Sequence, residues 1–161
     1  MEEKQRKRRS ARVAKDTALA EITLRRYEKP YKLKPRELVK KLCLSLGLLQ
    51  PADSRDVIVD VLYALLEAKK SRKELSSQEI EKEAIKIRKR ENLELNGVAS
   101  SNIRRQLKRL RDIFLVERIK ARYRISEFNL LDSFNEKTEK FLIESIKGRI
   151  REYLQLAEET F

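Results

Sequence analysis

The sequence predicts a mainly α-helical protein with one small β-hairpin. Apolar residues recur at helical spacing in several separate segments, and this pattern changes to simple alternation only after residue 113. The chain has 161 residues, of which 40% are hydrophobic and 40% charged. That length and composition fit one or at most two compact units with a modest core.

The chain begins with a basic segment. Residues 1–15 hold seven basic and two acidic residues, a local net charge of +5. We interpret residues 1–34 as a basic arm and linker. The first fifteen residues are expected to stay mobile in the free protein, because like charges oppose their collapse. The residues expected to lie along a DNA groove or backbone are Arg6, Lys7, Arg8 and Arg9. The alternative interpretation is a nonspecific solubilising tail.

Residues 35–52 are predicted to form a helix that packs on the core. Pro35 suits a first helical turn, and Gly47 suits the position after the last turn. The next helix follows Asp53 or Ser54 and carries the clearest apolar stripe of the chain, so we expect it at the centre of the core. That stripe comprises Val57, Ile58, Val61, Leu62, Leu65 and Leu66.

Two further helices and two short strands follow. Ser76 and Glu79 form a capping box, which predicts a helix from Ser77 to about Arg90. Another helix is predicted over residues 100–112, and strands over 114–120 and 122–126. The turn at Lys120 and Ala121 lacks the usual glycine, so the strand register stays open. A second capping box at Ser133 and Glu136 predicts a last helix of about 24 residues.

The order of elements in residues 53–127 resembles the winged helix-turn-helix domain of DNA-binding proteins, including archaeal-type transcription regulators. The segment VIVDVLYALL is similar to the first helix of that domain, and ELSSQEIEKEAI to the second. The segment VASSNIRRQLKRLRDIFLVERIKARYRIS is similar to a third helix followed by a wing. The resemblance implies duplex DNA as partner, with the third helix in the major groove.

The charge distribution gives independent support for a polyanionic partner. The net charge is +13, and residues 98–126 hold nine basic residues against Asp112 and Glu117, a local net of +7. At about 100° per residue, Ile103, Leu107 and Leu110 share one face of the third helix, and cations occupy the opposite face. The alternative is an ordinary solvated helix, although such helices mix charge signs.

The predicted contacts divide into two groups. Side chains near the N-terminus of the third helix are candidates for reading base edges, namely Ser101, Asn102 and Arg105. Phosphate contacts are predicted for the later cations of the helix and for the wing, namely Arg104, Lys108, Arg109, Arg111, Arg118, Lys120, Arg122 and Arg124. For the wing, the alternative is a charged hairpin edge that protects against aggregation.

Residues 128–161 are predicted to form a long terminal helix with an apolar stripe, which either packs on its own domain or pairs with a second copy. We expect a homodimer through Phe141, Leu142, Ile146, Ile150, Tyr153, Leu154 and Ala157.

Several classes of function are disfavoured by composition. The chain has no histidine, one cysteine and three glycines, so we expect no enzyme, metal site or cofactor. No run approaches the roughly 18 apolar residues of a membrane span, and no apolar segment of the kind found in signal peptides follows the basic N-terminus. We therefore expect an intracellular, cytoplasmic protein with no membrane partner and, in a prokaryote, a nucleoid-associated one. The abundance of Lys, Arg and Glu resembles a thermophile composition.

Three functional hypotheses remain open at this point. The first is a dimeric, transcription-regulator-like DNA-binding protein. The second is an architectural or RNA-binding factor with little sequence preference. The third is a winged-helix protein–protein adaptor, since a fold alone does not decide function.

Overall fold

The computed structural model describes residue 18 and residues 23–161. It confirms a mainly helical chain with one small antiparallel sheet of two strands. The regular elements are α1 (Pro35–Ser45), α2 (Val57–Lys70), α3 (Ser77–Arg90), α4 (Ser100–Asp112), β1 (Val116–Ile119), β2 (Arg122–Ile125), α5 (Leu130–Ser133) and α6 (Glu144–Thr160). A π-helical segment, Phe134–Ile143, joins α5 to α6.

Helix α1 packs against the core and ends as the sequence predicts. It places Val39 and Cys43 in the interior. Gly47 follows the helix with a φ of 69°, in the left-handed region that glycine adopts without strain. This turn returns Leu48 and Leu49 to the buried cluster, so that α1 and its C-terminal loop contribute to the same core as α2.

Helix α2 is the centre of the core. Every residue from 57 to 65 is buried, including one acid, Asp60. The helix contacts α1, α3, α4 and β2. A helix surrounded in this way has no solvated face over its first two turns, which explains why its sequence is apolar almost all round.

The capping box of α3 is confirmed. Ser76 Oγ accepts a hydrogen bond from the Glu79 backbone N–H at 3.2 Å, and the Glu79 carboxylate accepts one from the Ser76 N–H at 2.6 Å. Each bond satisfies a donor that the helix start leaves unpaired. The inward face carries Ile80, Ala84 and Ile87, which are all buried.

The hairpin has a two-residue turn without glycine. Lys120 and Ala121 both have positive φ, at 45° and 66°, as a type I′ turn requires. The resulting register pairs Val116 with Ile125, and both of these residues point into the core. Leu75 extends this sheet through an isolated bridge to Tyr123, with N···O distances of 2.9 and 2.7 Å.

The C-terminal helical region starts earlier than predicted. Asn129 caps it by accepting a hydrogen bond from the Asp132 N–H. The predicted capping box at Ser133 and Glu136 is wrong, since Ser133 Oγ donates to the Ser126 carbonyl and Glu136 pairs with Lys140. Helical backbone then continues over residues 130–160, because neither junction leaves the α region.

Candidate nucleic-acid interface

A buried ionic cluster fixes the scaffold on which the candidate site is built. Arg36 of α1 and Arg88 of α3 meet two carboxylates at the start of α2, those of Asp56 and Asp60. Asp60 accepts from Arg36 Nε at 2.8 Å and from Arg88 Nη1 at 2.6 Å. Asp56 accepts from the same two side chains at 3.0 and 2.9 Å. Two positive and two negative groups therefore neutralise each other inside the protein.

This cluster was not predicted from the sequence. Burial alone would raise the pKa of the Asp56 carboxyl, but hydrogen bonds from Arg88 and Arg36 outweigh burial and hold that pKa below its usual value. The guanidinium of Arg88 also donates to the Glu94 carbonyl at 2.5 Å. Through these contacts the cluster connects α1, α2 and α3 with the turn that precedes α4.

Helix α4 presents a rigid cationic face. Ile103, Leu107 and Leu110 are completely buried, so one side of the helix is anchored in the core. On the other side, the side chains of Arg104, Arg105 and Arg111 are exposed and form no hydrogen bond or ion pair with any described residue. Ser101 lies on this face one turn before Arg105 and is likewise exposed.

Two predicted contact residues of α4 have internal partners instead. Asn102 donates to the Gly97 carbonyl at 2.6 Å and accepts from Gln106 at 2.8 Å. Arg109 donates to the Leu48 carbonyl at 2.7 Å and to Gln106 at 2.9 Å. The helical position of both residues turns them toward neighbouring loops, which gives them a structural role. Their contact with bases or phosphates stays a prediction.

Lys108 remains available to a ligand. It pairs with Asp112 one turn later on the same helix, at 2.7 Å, and both side chains are at least half exposed. An exposed pair of this kind contributes only about 0.3–0.5 kcal/mol. A phosphate approaching α4 therefore meets little competition for this lysine.

Two arginines of the hairpin pair with acids of the hairpin itself and of the segment around the start of α3. Arg122 Nη2 pairs with Glu79 at 2.9 Å and also donates to the Glu74 carbonyl. Arg124 pairs with Glu117 at 2.7 Å and with Glu74 at 3.1 Å. These side chains join β2 to β1 and to the start of α3. The phosphate contacts of Arg122 and Arg124 stay a prediction.

The pKa values of two acids in this network, Glu79 and Glu117, are lowered. Hydrogen bonds from the backbone and side chain of Ser76 lower the pKa of Glu79, and Arg122 adds to the shift. Burial would raise the pKa of Glu117, but the Glu127 backbone N–H and Arg124 lower it overall. Both carboxylates are thus held in the charged form that attracts the wing arginines.

Two wing cations keep exposed charges. The Arg118 guanidinium lies 5.7 Å from the centre of the Tyr123 ring, and its side chain is otherwise exposed. Lys120 stands in the hairpin turn and is also exposed. Neither forms an ion pair within the part of the chain that the structure describes. The cationic part of the wing is therefore its tip and not its full length.

A polar groove adjoins the N-terminal end of α4. Its volume is about 970 Å³, and Arg55, Asn96 and Ser54 line it together with Ser101 and Arg105. Sequence reasoning missed the first three, although Arg55 directly precedes an apolar helix and could have been noted as an exposed cation there. Gly97 allows the turn beside the groove, because it has a φ of 85° and a Cβ there would lie 3.1 Å from Val57.

The remaining predicted residues fall into two groups. The arm residues Arg6, Lys7, Arg8 and Arg9 lie outside the described residues. Of the predicted dimer contacts, Leu142 is buried within its own chain, so its assignment is corrected, and Ile146 is half-buried. The other predicted contacts are exposed, namely Phe141, Ile150, Tyr153, Leu154 and Ala157.

Comparison with protein-family models, with curated proteins and with solved structures finds no match to this chain. No helix among the described residues is long and apolar enough to cross a membrane. Those residues also contain no group of three His, Cys, Asp or Glu side chains placed to hold a metal ion. The absence of an enzymatic activity, a cofactor and a metal stays a prediction.

Proposed function

We propose that this chain is a winged-helix protein that binds duplex DNA through the exposed face of α4. The observation that carries the proposal is the set of three unpaired arginines, Arg104, Arg105 and Arg111, on a helix whose opposite face is fixed in the core. A rigid cationic helix suits the major groove, which admits an α-helix and offers guanine acceptors to arginine.

The order of elements supports the winged-helix interpretation. Three helices, α2, α3 and α4, are followed directly by the β1–β2 hairpin. An isolated bridge joins Leu75, in the segment between α2 and α3, to Tyr123 of β2. In a winged helix, the third helix and the hairpin face the same ligand, which here gives α4 and the cationic tip of the wing a common partner.

Within this interface, position along α4 divides the roles. Ser101 and Arg105 lie near the helix N-terminus and beside the polar groove, where base edges or the adjoining phosphates come within reach. Arg104 and Arg111 lie on the flank of the helix, where phosphate contact is expected. Arg118 and Lys120 extend the contact to the next phosphates along the duplex.

The distribution of acids favours a ligand over a solvated surface. Glu74, Glu79 and Glu117 pair with the wing arginines, whereas the three exposed arginines of α4 form no ion pair with any described residue. Since unbalanced positive charges on one helix repel each other, their position is most simply explained by a polyanion that neutralises them in the complex.

The experiment is a titration of full-length protein on duplex DNA at several salt concentrations, followed by fluorescence anisotropy. The variant Arg104→Ala, Arg105→Ala and Arg111→Ala should bind at least tenfold more weakly at moderate salt. Each lost phosphate contact should reduce the salt-dependence slope by about 0.9, up to about 2.7 for all three. Its thermal unfolding should match that of the parent, because all three side chains are exposed.

A matched control removes the same amount of charge elsewhere. Lys70, Lys86 and Lys89 are exposed on α2 and α3, and their replacement by Ala should change affinity and slope much less. Equal losses in the two triple variants would contradict a localised site. Absence of binding to any duplex at low salt would contradict DNA binding altogether and favour the adaptor hypothesis.

A competition assay with the parent protein separates the remaining alternatives. Preference for a sequence selected from a random pool would support a transcription-regulator-like role. Equal competition by all duplexes would support an architectural role, and stronger competition by structured RNA would support the RNA-binding alternative.

A further inference from the structure

The described part of the chain covers little of helix α6. None of its 17 residues is buried, and among the described elements it contacts chiefly the π-helical segment that precedes it. Most helices in proteins are stabilised by packing of an amphipathic face, since an isolated helix of this length is only marginally stable in water. The covering surface for α6 must therefore be supplied from elsewhere.

The helix carries a continuous apolar stripe. Apart from Leu156, the apolar positions of the helix share one arc of about 100°, at about 100° per residue. These are Ile146, Ile150, Tyr153, Leu154, Ala157 and, directly after the helix, Phe161. The exposed fractions of Ile150, Tyr153 and Leu154 are 54%, 64% and 60%. The spacing between Ile146, Ile150, Tyr153 and Ala157 is the four-three-four pattern of a coiled-coil seam.

We infer that α6 pairs with α6 of a second copy in antiparallel orientation. In an antiparallel pair with Ile150 opposite Tyr153 of the other copy, Ile146 faces Ala157, and the same contacts recur about the two-fold axis. Every seam position thus meets an apolar position of the partner helix.

Charge complementarity selects this orientation. Lys147 and Glu158 flank the stripe on the same side, eleven residues apart. In an antiparallel pair, residues on one side of the apolar stripe lie beside the residues on the same side of the partner's stripe. Lys147 of each copy therefore lies close to Glu158 of the other. In a parallel pair these charges would be separated along the axis by roughly 16 Å, at 1.5 Å per residue. Glu158 forms no ion pair with any described residue of its own chain. Lys147 pairs with Glu144 on its own helix at 2.6 Å, but both side chains are about half exposed, and an exposed pair of this kind contributes little.

The size of the surface predicts a weak dimer. Two of the four largest side chains of the stripe, Tyr153 and Phe161, are aromatic, and aromatic side chains bury roughly 150–250 Å² each. More than half of each of the four side chains is exposed. The stripe then buries about 400–500 Å² per copy, close to the lower limit of a specific interface, which is about 1,000 Å² for both partners. Dissociation in the micromolar range is expected.

Sedimentation equilibrium of the full chain over a wide concentration range tests this inference. The parent should associate reversibly to dimers. Ile150→Glu, in the centre of the stripe, should raise the dissociation constant at least a hundredfold. The matched control is Leu156→Glu, which makes the same kind of change outside the arc and should leave the dimer largely intact. A monomeric parent, or equal effects of the two variants, would overturn the inference.

Charge exchange tests the orientation. Lys147→Glu and Glu158→Lys should each weaken the dimer about tenfold, because each change places like charges together at two symmetric positions. The double variant should recover most of the parent affinity. Glu159→Lys, with the same charge change on the opposite side of the helix, is the control and should have little effect. Failure of the double variant to recover would overturn the antiparallel register.

This inference is independent of the proposed function, because the stripe on α6 and the cationic face on α4 lie on different elements. A dimer that fails to bind DNA would contradict only the proposed function. A monomer that binds DNA would contradict only the pairing of α6.

Discussion

Replacing Asp60 by alanine removes the carboxylate at the centre of the buried ionic cluster. Asp60 is fully buried and accepts from Arg36 at 2.8 and 3.3 Å and from Arg88 at 2.6 Å. After the change, two buried guanidinium groups share the single carboxylate of Asp56. One positive charge is then left without compensation in the interior, where water cannot replace the lost acceptor.

Because one buried charge is left uncompensated, Asp60→Ala is expected to lose a large part of the free energy of unfolding. Breaking a buried ion pair by removing one partner costs about 3–5 kcal/mol. For a chain of this size, each kcal/mol lowers the melting temperature by about 2–4 °C, so Asp60→Ala should lower it by roughly 6–20 °C. The assay is thermal unfolding followed by far-ultraviolet circular dichroism at neutral pH.

Glu67→Ala is the control on the same helix. Glu67 pairs with Lys70 at 2.7 Å, but both side chains are largely exposed, so this pair contributes at most about 0.5 kcal/mol. Its loss should shift the melting temperature by no more than about 2 °C. If Asp60→Ala shifts it as little as the control does, the reasoning about uncompensated burial is refuted.

Two further predictions concern the same core. Burial would raise the pKa of Asp56, but hydrogen bonds from Arg88 and Arg36 lower it in the folded state. The ionised Asp56 carboxylate therefore stabilises the fold fully above its pKa in the unfolded chain, which is about 3.9. This stabilisation is lost as pH falls through the lower pKa of the folded state. Denaturant titrations should therefore show a free energy of unfolding that decreases below about pH 4, and this decrease should be shallower in Asp56→Asn. If the free energy of unfolding depends on pH equally steeply in that variant, Asp56 is not the group responsible. Burial raises the pKa of the Cys43 thiol to about 12. A thiol reagent at pH 8 should therefore react with Cys43 only as fast as the protein unfolds. Rapid labelling of the native protein would contradict this prediction, because it would show that Cys43 is accessible.

Local sequence signals predicted the helices and strands well. The capping box at Ser76 and Glu79 places the start of α3 correctly because both of its hydrogen bonds are formed between neighbours in sequence. The hairpin was predicted from alternation alone, and its register depended on whether Lys120 and Ala121 could adopt positive φ without glycine. The box at Ser133 and Glu136 failed because Asn129 offers an earlier cap.

The candidate site was harder to predict, because its electrostatics depend on distant pairs. Glu79 lies 43 residues before Arg122 in sequence, and Glu74 lies 50 before Arg124, so no local pattern shows that these arginines are neutralised. Helical periodicity correctly placed Arg104 and Arg105 on the exposed face of α4. One signal for the buried cluster was present and unused: Asp60 is the only acid among the apolar residues 57–66.

The position of Arg36 makes α1 part of the folded core. A fragment beginning at residue 53 would contain α2, α3, α4 and the β-hairpin, yet it would lack both Arg36 and Lys40, which pair with Asp56. It would also lose the Leu48 carbonyl that orients Arg109 on α4. The first helix is thus an integral support of the cationic face, and a minimal unit for binding studies has to include it.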